Sequence, residues 1–294
     1  MIKNYNDLIE NIKFKFDKFS PSQKKIAEYI IENIDKVGFF TINELASHIN
    51  VSETTVVRFA YKMGFESYSV MHKVMQNIFK EHLSPVKKIN QKIESNNLHI
   101  DKIVESSIDL DINHLNELKK NISVEDIENT IRLLQNANSI YVTGYRTSYG
   151  VAHLCNLVTN QILSKSILIK TEDECIPEII LSLRNGDLLI AISLPRYTER
   201  LLHIVKYAKS KKVQVIAITD SYISPVGRLA DIVIPCGFKG LTYQNTLVPA
   251  NAVINLIINI LILFSNKQQR KTIKERFIRI EEQLSEWKLI YLNE

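Results

Sequence analysis

The apolar residues of this chain change their period about one third of the way along. In the first third they recur at helical spacing: Leu8, Ile9, Ile12 and Phe16 form one stripe, and Ile26, Tyr29, Ile30 and Ile34 another. Phe19-Ser20-Pro21 separates them, with Ser20 placed as N-cap and Pro21 at the first helical position. The pattern predicts helices from Asn6 to Asp17 and from Pro21, a short one from Ile42 to His48, one from Ser52 to the stop at Gly64, and one from Tyr68 to His82. Beyond residue 122 short apolar runs alternate with helical segments. Strands are predicted at 139–143, 166–170, 187–193, 213–219 and 231–235. Strands separated by helices imply right-handed crossovers and a parallel sheet buried on both faces. In such sheets ligands bind beyond the strand C-termini, at the point where strand order reverses. For the order 2-1-3-4-5 that crevice lies between the first and third strands.

Between these regions, Leu83 to Asn121 is polar and uneven. Ser84-Pro85 breaks the preceding helix, and Glu94-Ser95-Asn96-Asn97 reads as loop. Ile103, Leu110, Leu115 and Leu118 suggest that part of the stretch becomes a helix packed on a neighbour. Ser123 with Asp126 resembles a capping box opening a helix to Gln135. The boundaries expected are therefore a helical head at 1–82, a partly helical linker at 83–122, an α/β domain at 123–264 and a C-terminal amphipathic helix at 265–294. In that last helix Ile273, Phe277, Ile280, Leu284, Trp287 and Tyr291 form a narrow seam, suited either to a dimer contact or to packing on its own domain.

Composition narrows the function classes. Of the net charge of +5, the first 92 residues supply +4, with 14 Lys and Arg against 10 Asp and Glu. That asymmetry permits nucleic-acid binding without demanding it. Cys155, Cys175 and Cys236 match no zinc or CxxC spacing, and no disulfide framework is visible, which suits a reducing cytosol. The seven histidines are scattered without an HxxxH pair, so no metal or other cofactor is expected. Lys3, Asp7 and Glu10 interrupt any signal-peptide pattern. The apolar run from Val248 to Phe264 carries Asn251, Asn255 and Asn259 on one face, the pattern of a buried globular helix rather than a membrane span. A cytoplasmic protein with no membrane partner is expected.

Two constellations carry candidate chemistry. In the head, Thr41 to Ile49, a tight turn at Asn50-Val51 and Ser52 to Met63 have the layout of a helix-turn-helix, whose second helix lies in the major groove. Val56, Phe59, Ala60 and Met63 share a core face. Ser52, Thr54, Thr55, Arg58, Tyr61 and Lys62 are left to meet DNA: the threonines can reach bases or phosphate, Arg58 can fork onto guanine or bind phosphate, and Lys62 suits a phosphate. An ordinary helical bundle with a solvated polar face has the same spacing.

In the α/β domain the first strand runs into Gly144-Tyr145-Arg146-Thr147-Ser148, and the third into Ser193-Leu194-Pro195-Arg196-Tyr197-Thr198. Each loop ends on a hydroxyl placed to cap the next helix, where free N–H groups and the helix dipole favour an anion. Gly144, Tyr145, Arg146, Ser148, Ser193, Arg196, Tyr197 and Thr198 are the candidate effector-binding residues. In the alternative, both arginines pair with local acids such as Glu199 or Asp220, or touch a partner subunit. Glu199 and His203 stand at i and i+4 on the following helix, but no catalytic constellation is evident.

Val51-Ser52-x-x-Thr55-Val56-x-Arg58-Phe59, followed by Met63-Gly64-Phe65, resembles the N-terminal helix-turn-helix of RpiR/MurR-type transcriptional regulators. Ser20-Pro21-Ser22-Gln23-Lys24-Lys25-Ile26-Ala27-x-Tyr29-Ile30 resembles the same family. The second half is similar to the sugar isomerase (SIS) domain of these regulators, through Ile216-Ala217-Ile218-Thr219-Asp220-Ser221, Ser224-Pro225 and Leu229-Ala230-Asp231. The resemblance implies an all-α head joined to a five-stranded parallel α/β domain of flavodoxin-like order. It also implies a phosphosugar ligand and a homodimer or homotetramer. Such domains generally carry Gly-x-Gly-x-Ser after the first strand and Ser-x-Ser-Gly-x-Thr after the third. Here Arg146 replaces the second glycine, and Pro195-Arg196 replaces Ser-Gly. Proline has no N–H and arginine is bulky, so the usual phosphate cradle is altered. An arginine fork, however, binds carboxylate or phosphate.

The expectation is a non-enzymatic, DNA-binding regulator controlled by a small anionic metabolite, a sugar phosphate or a carboxylated sugar. Its partners are double-stranded operator DNA and that effector, with the two heads of a dimer spaced by the effector domain. The alternatives are a phosphosugar isomerase-type enzyme with an accessory head, and a degenerate SIS domain that only oligomerises.

Overall fold

A computed structural model describes residues 5–33, 37–82, 99–170 and 176–287, and they divide into two compact units. Unit 1 comprises residues 1–106 together with 240–244; unit 2 comprises 107–239 and 245–294. The expected break at Ser84-Pro85, the loop at 94–97, Ile34, Cys175 and Tyr291 lie outside the described residues.

Unit 1 is helical. Helix α1 (Tyr5–Lys15) and a 3-10 turn precede α2 (Pro21–Glu32). Ser20 accepts from the Gln23 N–H while the Gln23 side chain accepts from the Ser20 N–H, so two donors at the start of the helix that Pro21 begins are satisfied. Helix α3 (Ile42–Ile49) opens with the same reciprocal cap from Thr41 and Glu44. It stops at Asn50, whose left-handed backbone (φ 56°) turns the chain into α4 (Glu53–Met63). Gly64 ends α4 at φ 97°, and α5 (Tyr68–His82) follows. Leu8, Ile12, Ile26, Ile30, Leu45, Val56, Phe59 and Met63 are buried, and the Phe19 ring lies 5.1 Å from that of Phe59.

Helix α6 (Ile100–Asn121) is a single element of 22 residues, and the boundary between the units falls within it. The expected packing is only partly present: Leu118 is buried, whereas Ile103 and Leu115 are exposed, as are Ile100, Val104, Ile108 and Ile112.

Unit 2 continues with α7 (Val124–Asn136), β1 (Ile140–Gly144), α8 (Ser148–Leu163), β2 (Ser166–Leu168), α9 (Ile176–Leu181) and β3 (Leu188–Ser193). Then come α10 (Glu199–Ser210), β4 (Gln214–Thr219), β5 (Ile232–Pro235), α11 (Val248–Leu263) and α12 (Lys267–Glu286). All five strands are parallel, in the order β2-β1-β3-β4-β5. One sheet face, with Tyr141, Leu189, Ala191, Val215 and Ala217, packs on Leu201, Ile204, Val205 and Ala208 of α10. Helix α8 packs on β1, β2 and β3 and on α11, so helices line both faces. In α11, Val253, Ile254, Ile257 and Leu261 are buried, while Asn255 and Asn259 point to solvent. Among the described residues no single helix is long and apolar enough to cross a membrane. Helix α12 rests on α8 with Ile273, Phe277, Ile280 and Leu284 half-buried, leaving Trp287 exposed.

Candidate functional site

In the head, the turn between α3 and α4 is fixed by backbone bonds from Asn50 to Ser47 and from Val51 to Ala46. Ser52 caps α4 by accepting from the Thr55 N–H at 3.2 Å, and the two hydroxyls lie 2.7 Å apart. Val56, Phe59, Ala60 and Met63 are buried; Ser52, Thr54, Arg58, Tyr61 and Lys62 are exposed, and Thr55 is half-exposed. These residues thus lie together on the face of α4 away from its core. Lys62 stands apart from the rest. Its ammonium donates to the Lys18 carbonyl and to Gln23 Oε1, and sits 5.8 Å from the Phe19 ring centre. It fastens α4 to the start of α2.

In unit 2, Gly144 pairs with Ile192 across β1 and β3, so the two candidate loops leave the sheet side by side. Gly144 allows that exit: a Cβ there would come 2.6 Å from the Ser148 carbonyl oxygen and 3.2 Å from Ala152 Cβ. Arg146 and Arg196 have φ of 56° and 76°. Asn50, Ser164 and Lys212 are the other non-glycine residues with positive φ among those described, and each follows the end of a helix, where a left-handed residue closes the last turn. The two arginines instead follow adjacent strands, at the crevice of the sheet. Neither arginine is paired with an acid among the described residues.

The expected hydroxyl caps are not formed. Thr147 is in the right-handed region and makes no side-chain bond to α8, and Ser148, buried, is already the first helical residue. The Thr198 hydroxyl makes no capping bond to α10; only its carbonyl accepts, from the Leu202 N–H at 3.4 Å. The backbone of the first loop closes its own turn instead, through Ser148 to Tyr145 and Tyr149 to Arg146. The acidic Glu199 occupies the first turn of α10.

Asp220, considered above as an arginine partner, accepts from the Tyr197 hydroxyl at 2.7 Å and from Thr219 at 3.1 Å. Thr219 also donates to the Ser193 carbonyl at 2.6 Å, tying β4 to the start of the second loop. Buried Asn245 donates to the Pro195 carbonyl at 3.0 Å, where the loop turns. The hydroxyl of Tyr145 is buried without a hydrogen-bond partner among the described residues. Burial raises its pKa, and the nearby Arg200 guanidinium works in the opposite direction. Arg200, Asp220 and Asn245 thus join the site. Local pattern marked neither Arg200, since Arg196 lies in the loop before α10, nor Asn245, 50 residues from its partner. Glu199 and His203 are both exposed on α10. Cys155 and Cys236 are buried and free, their thiols pushed up to about 12 chiefly by burial. Among the described residues no cluster of His, Cys, Asp or Glu could hold a metal ion.

Residues 6–79 match the helix-turn-helix domain of the rpiR family, and residues 133–236 match the SIS domain. The chain belongs to the RpiR family. It is 27% identical over 259 residues to an HTH-type transcriptional regulator of Thermotoga maritima, covering 87% of this chain and 89% of that one. To the HTH-type transcriptional regulator HexR of Escherichia coli it is 24% identical over 234 residues, covering 78% of this chain and 77% of HexR. Among solved structures, the NanR protein of Vibrio vulnificus, complexed with ManNAc-6P, superposes with a TM-score of 0.62 at 20% identity. That match covers 95% of this chain and 98% of NanR. The sugar isomerase domain of an RpiR transcription factor from Sphaerobacter thermophilus gives 0.58 at 22% identity, covering 62% of this chain and 99% of that domain. This RpiR-family chain is a transcriptional regulator with a SIS domain. Within its SIS fold, the left-handed arginines stand where the family pattern given above has glycine.

Proposed function

We propose that this regulator binds operator DNA through α4 and releases or tightens it when a small anionic metabolite enters the crevice between β1 and β3. In this reading residues 1–82 are the DNA-binding domain, 83–122 connect it, 123–264 bind the effector and hold the oligomer, and 265–294 pack as a C-terminal helix. Thr54, Thr55, Arg58 and Tyr61 face the DNA, with Ser52 ordering the first turn. Arg146 and Arg196 bind the effector, with Tyr145, Ser148, Ser193, Tyr197 and Thr198 around it, and Gly144 gives the loop its close exit. The protein works in the cytoplasm as a homodimer or homotetramer. Half-sites recur at about 34–36 Å per helical turn, so a small change in head spacing alters affinity strongly.

The observation that carries the reading is the pair of arginines at φ 56° and 76°, unpaired by acids among the described residues, at the ends of two adjacent strands. A strained backbone at a crevice points to a ligand, because elsewhere glycine would occupy it at lower cost. Two guanidiniums favour an effector with two anionic groups, such as a phosphate and a carboxylate on one sugar acid. NanR with ManNAc-6P supports a phosphosugar as one of the groups to try.

Calorimetry against ManNAc-6P, 6-phosphogluconate, gluconate and inorganic phosphate tests this. At least one phosphorylated sugar binds, and Arg146→Ala and Arg196→Ala each weaken it by about 10- to 100-fold, the worth of a charge-assisted hydrogen bond. Unchanged affinity in both variants overturns the assignment.

A further inference from the structure

The chain passes between the two units at three places: 106/107 within α6, 239/240 and 244/245. Polar contacts inside unit 2 bracket all three. Thr246 Oγ1 donates to Asp111 Oδ1 at 2.6 Å, and the Val248 N–H donates back to Thr246 Oγ1 at 3.3 Å as α11 begins. Three residues along α6, His114 Nε2 donates to the Lys239 carbonyl at 2.8 Å. Its ring lies so close to Gly237 that no Cβ fits there. Residue 245, next to Thr246, is the asparagine that holds the Pro195 carbonyl at 3.0 Å.

We propose that Asn245-Thr246 is the coupling element of this regulator, joining the effector loop at Pro195-Arg196 to α6 at Asp111. The inference rests on the effector reading above. A ligand drawing in Arg196 moves the Pro195 carbonyl, because a proline and a left-handed residue leave that peptide little freedom of its own. Asn245 is only 4% exposed and is held to that carbonyl, so the displacement passes to the adjoining peptide. Thr246 carries it to Asp111 on α6, the helix that contains one of the three chain crossings. The sequence of contacts is short, polar and directional, and it links two positions 84 residues apart through two neighbouring residues. Asn245 and Thr246 are positioning residues here: the effector itself is held by the arginines.

The test separates coupling from binding. Operator duplex is selected from a random library with the full-length protein. Its affinity is then measured with and without saturating ManNAc-6P and 6-phosphogluconate, for the wild type, Thr246→Val, Thr246→Ser and Asp111→Ala. Effector affinity of each protein is measured by calorimetry. In Thr246→Val and Asp111→Ala, effector affinity and effector-free DNA affinity stay within about threefold of wild type. The effector-induced change in DNA affinity shrinks by about threefold or more, the range reported for coupling residues that touch neither ligand. Thr246→Ser, which keeps the hydroxyl, restores it. By reciprocity, DNA must lose its influence on effector affinity by the same factor. A wild type that responds, with Thr246→Val and Asp111→Ala responding equally, overturns the relay alone. A wild type that binds DNA but responds to neither ligand overturns the effector reading and the relay together. Asp111→Ala places a good helix former on α6, so it folds even if the Thr246 variant does not.

Discussion

An arginine in the left-handed region costs ~1–2 kcal/mol relative to its right-handed conformation, because its Cβ crowds the following carbonyl. Glycine avoids that cost but gives up about 0.4–1 kcal/mol through the freer unfolded chain. At Arg146 (φ 56°) and Arg196 (φ 76°) the first effect wins. Arg146→Gly and Arg196→Gly therefore each stabilise the protein slightly, by about 0.5–1 kcal/mol, or about 2 °C in Tm, while weakening effector binding. Thermal melts alongside calorimetry check the opposing signs. A glycine variant that melts lower would mean that the guanidiniums hold the loop together rather than wait for a ligand. The sequence announced these positions, since both depart from the family pattern. It did not announce that they keep a glycine's backbone conformation, because φ is set by how the loops leave neighbouring strands. The cap expected from Ser148 fails for a related reason: Thr147 adopts the right-handed region, and Ser148 is already the first helical residue.

Helix α4 shows how one element divides its work. Its buried face and its start at Ser52 follow directly from period and capping chemistry, and both are present. What the helix alone could not reveal is that Lys62 belongs to the head's own packing, because its partners Lys18 and Gln23 are 44 and 39 residues away. The structure thus gives the two basic residues of this face different surroundings. Arg58→Ala lowers operator affinity by about 5- to 150-fold and relaxes base preference, the range of a lost bidentate contact of ~1–3 kcal/mol. Lys62→Ala mainly lowers the melting temperature of the head, by the ~0.5–1 kcal/mol of an exposed cation–ring contact. Anisotropy titrations on matched and mutated duplexes, with thermal melts, distinguish the two. Equal losses of DNA affinity would return Lys62 to the DNA face. Helix α6 was the least legible element: its apolar residues are mostly exposed, so a periodicity that elsewhere marks a core here marked a surface.

At the scale of the molecule, connectivity was readable and closure was not. Alternating helix and strand periods gave five parallel strands and placed the crevice between the first and third, as the order β2-β1-β3-β4-β5 has it. The contacts that shape the crevice floor come from far along the chain: Thr219 onto Ser193, Tyr197 onto Asp220, Asn245 onto Pro195. Local pattern carries no trace of such pairs, because each depends on where the completed sheet puts two loop ends. Next to Asn245, a further long-range contact, Thr246 onto Asp111, links the crevice to α6, which is why effector and DNA affinities are expected to be coupled at all. The decisive measurement is a fluorescence-anisotropy titration of the full-length protein on its selected operator duplex, with and without each phosphorylated sugar of the panel. The account predicts that one of them shifts the midpoint by about 5- to 150-fold, the usual span of a coupling free energy of 1–3 kcal/mol, and that Arg146→Ala with Arg196→Ala abolishes the shift. A midpoint that no ligand moves, or a shift that survives the loss of both arginines, would contradict it.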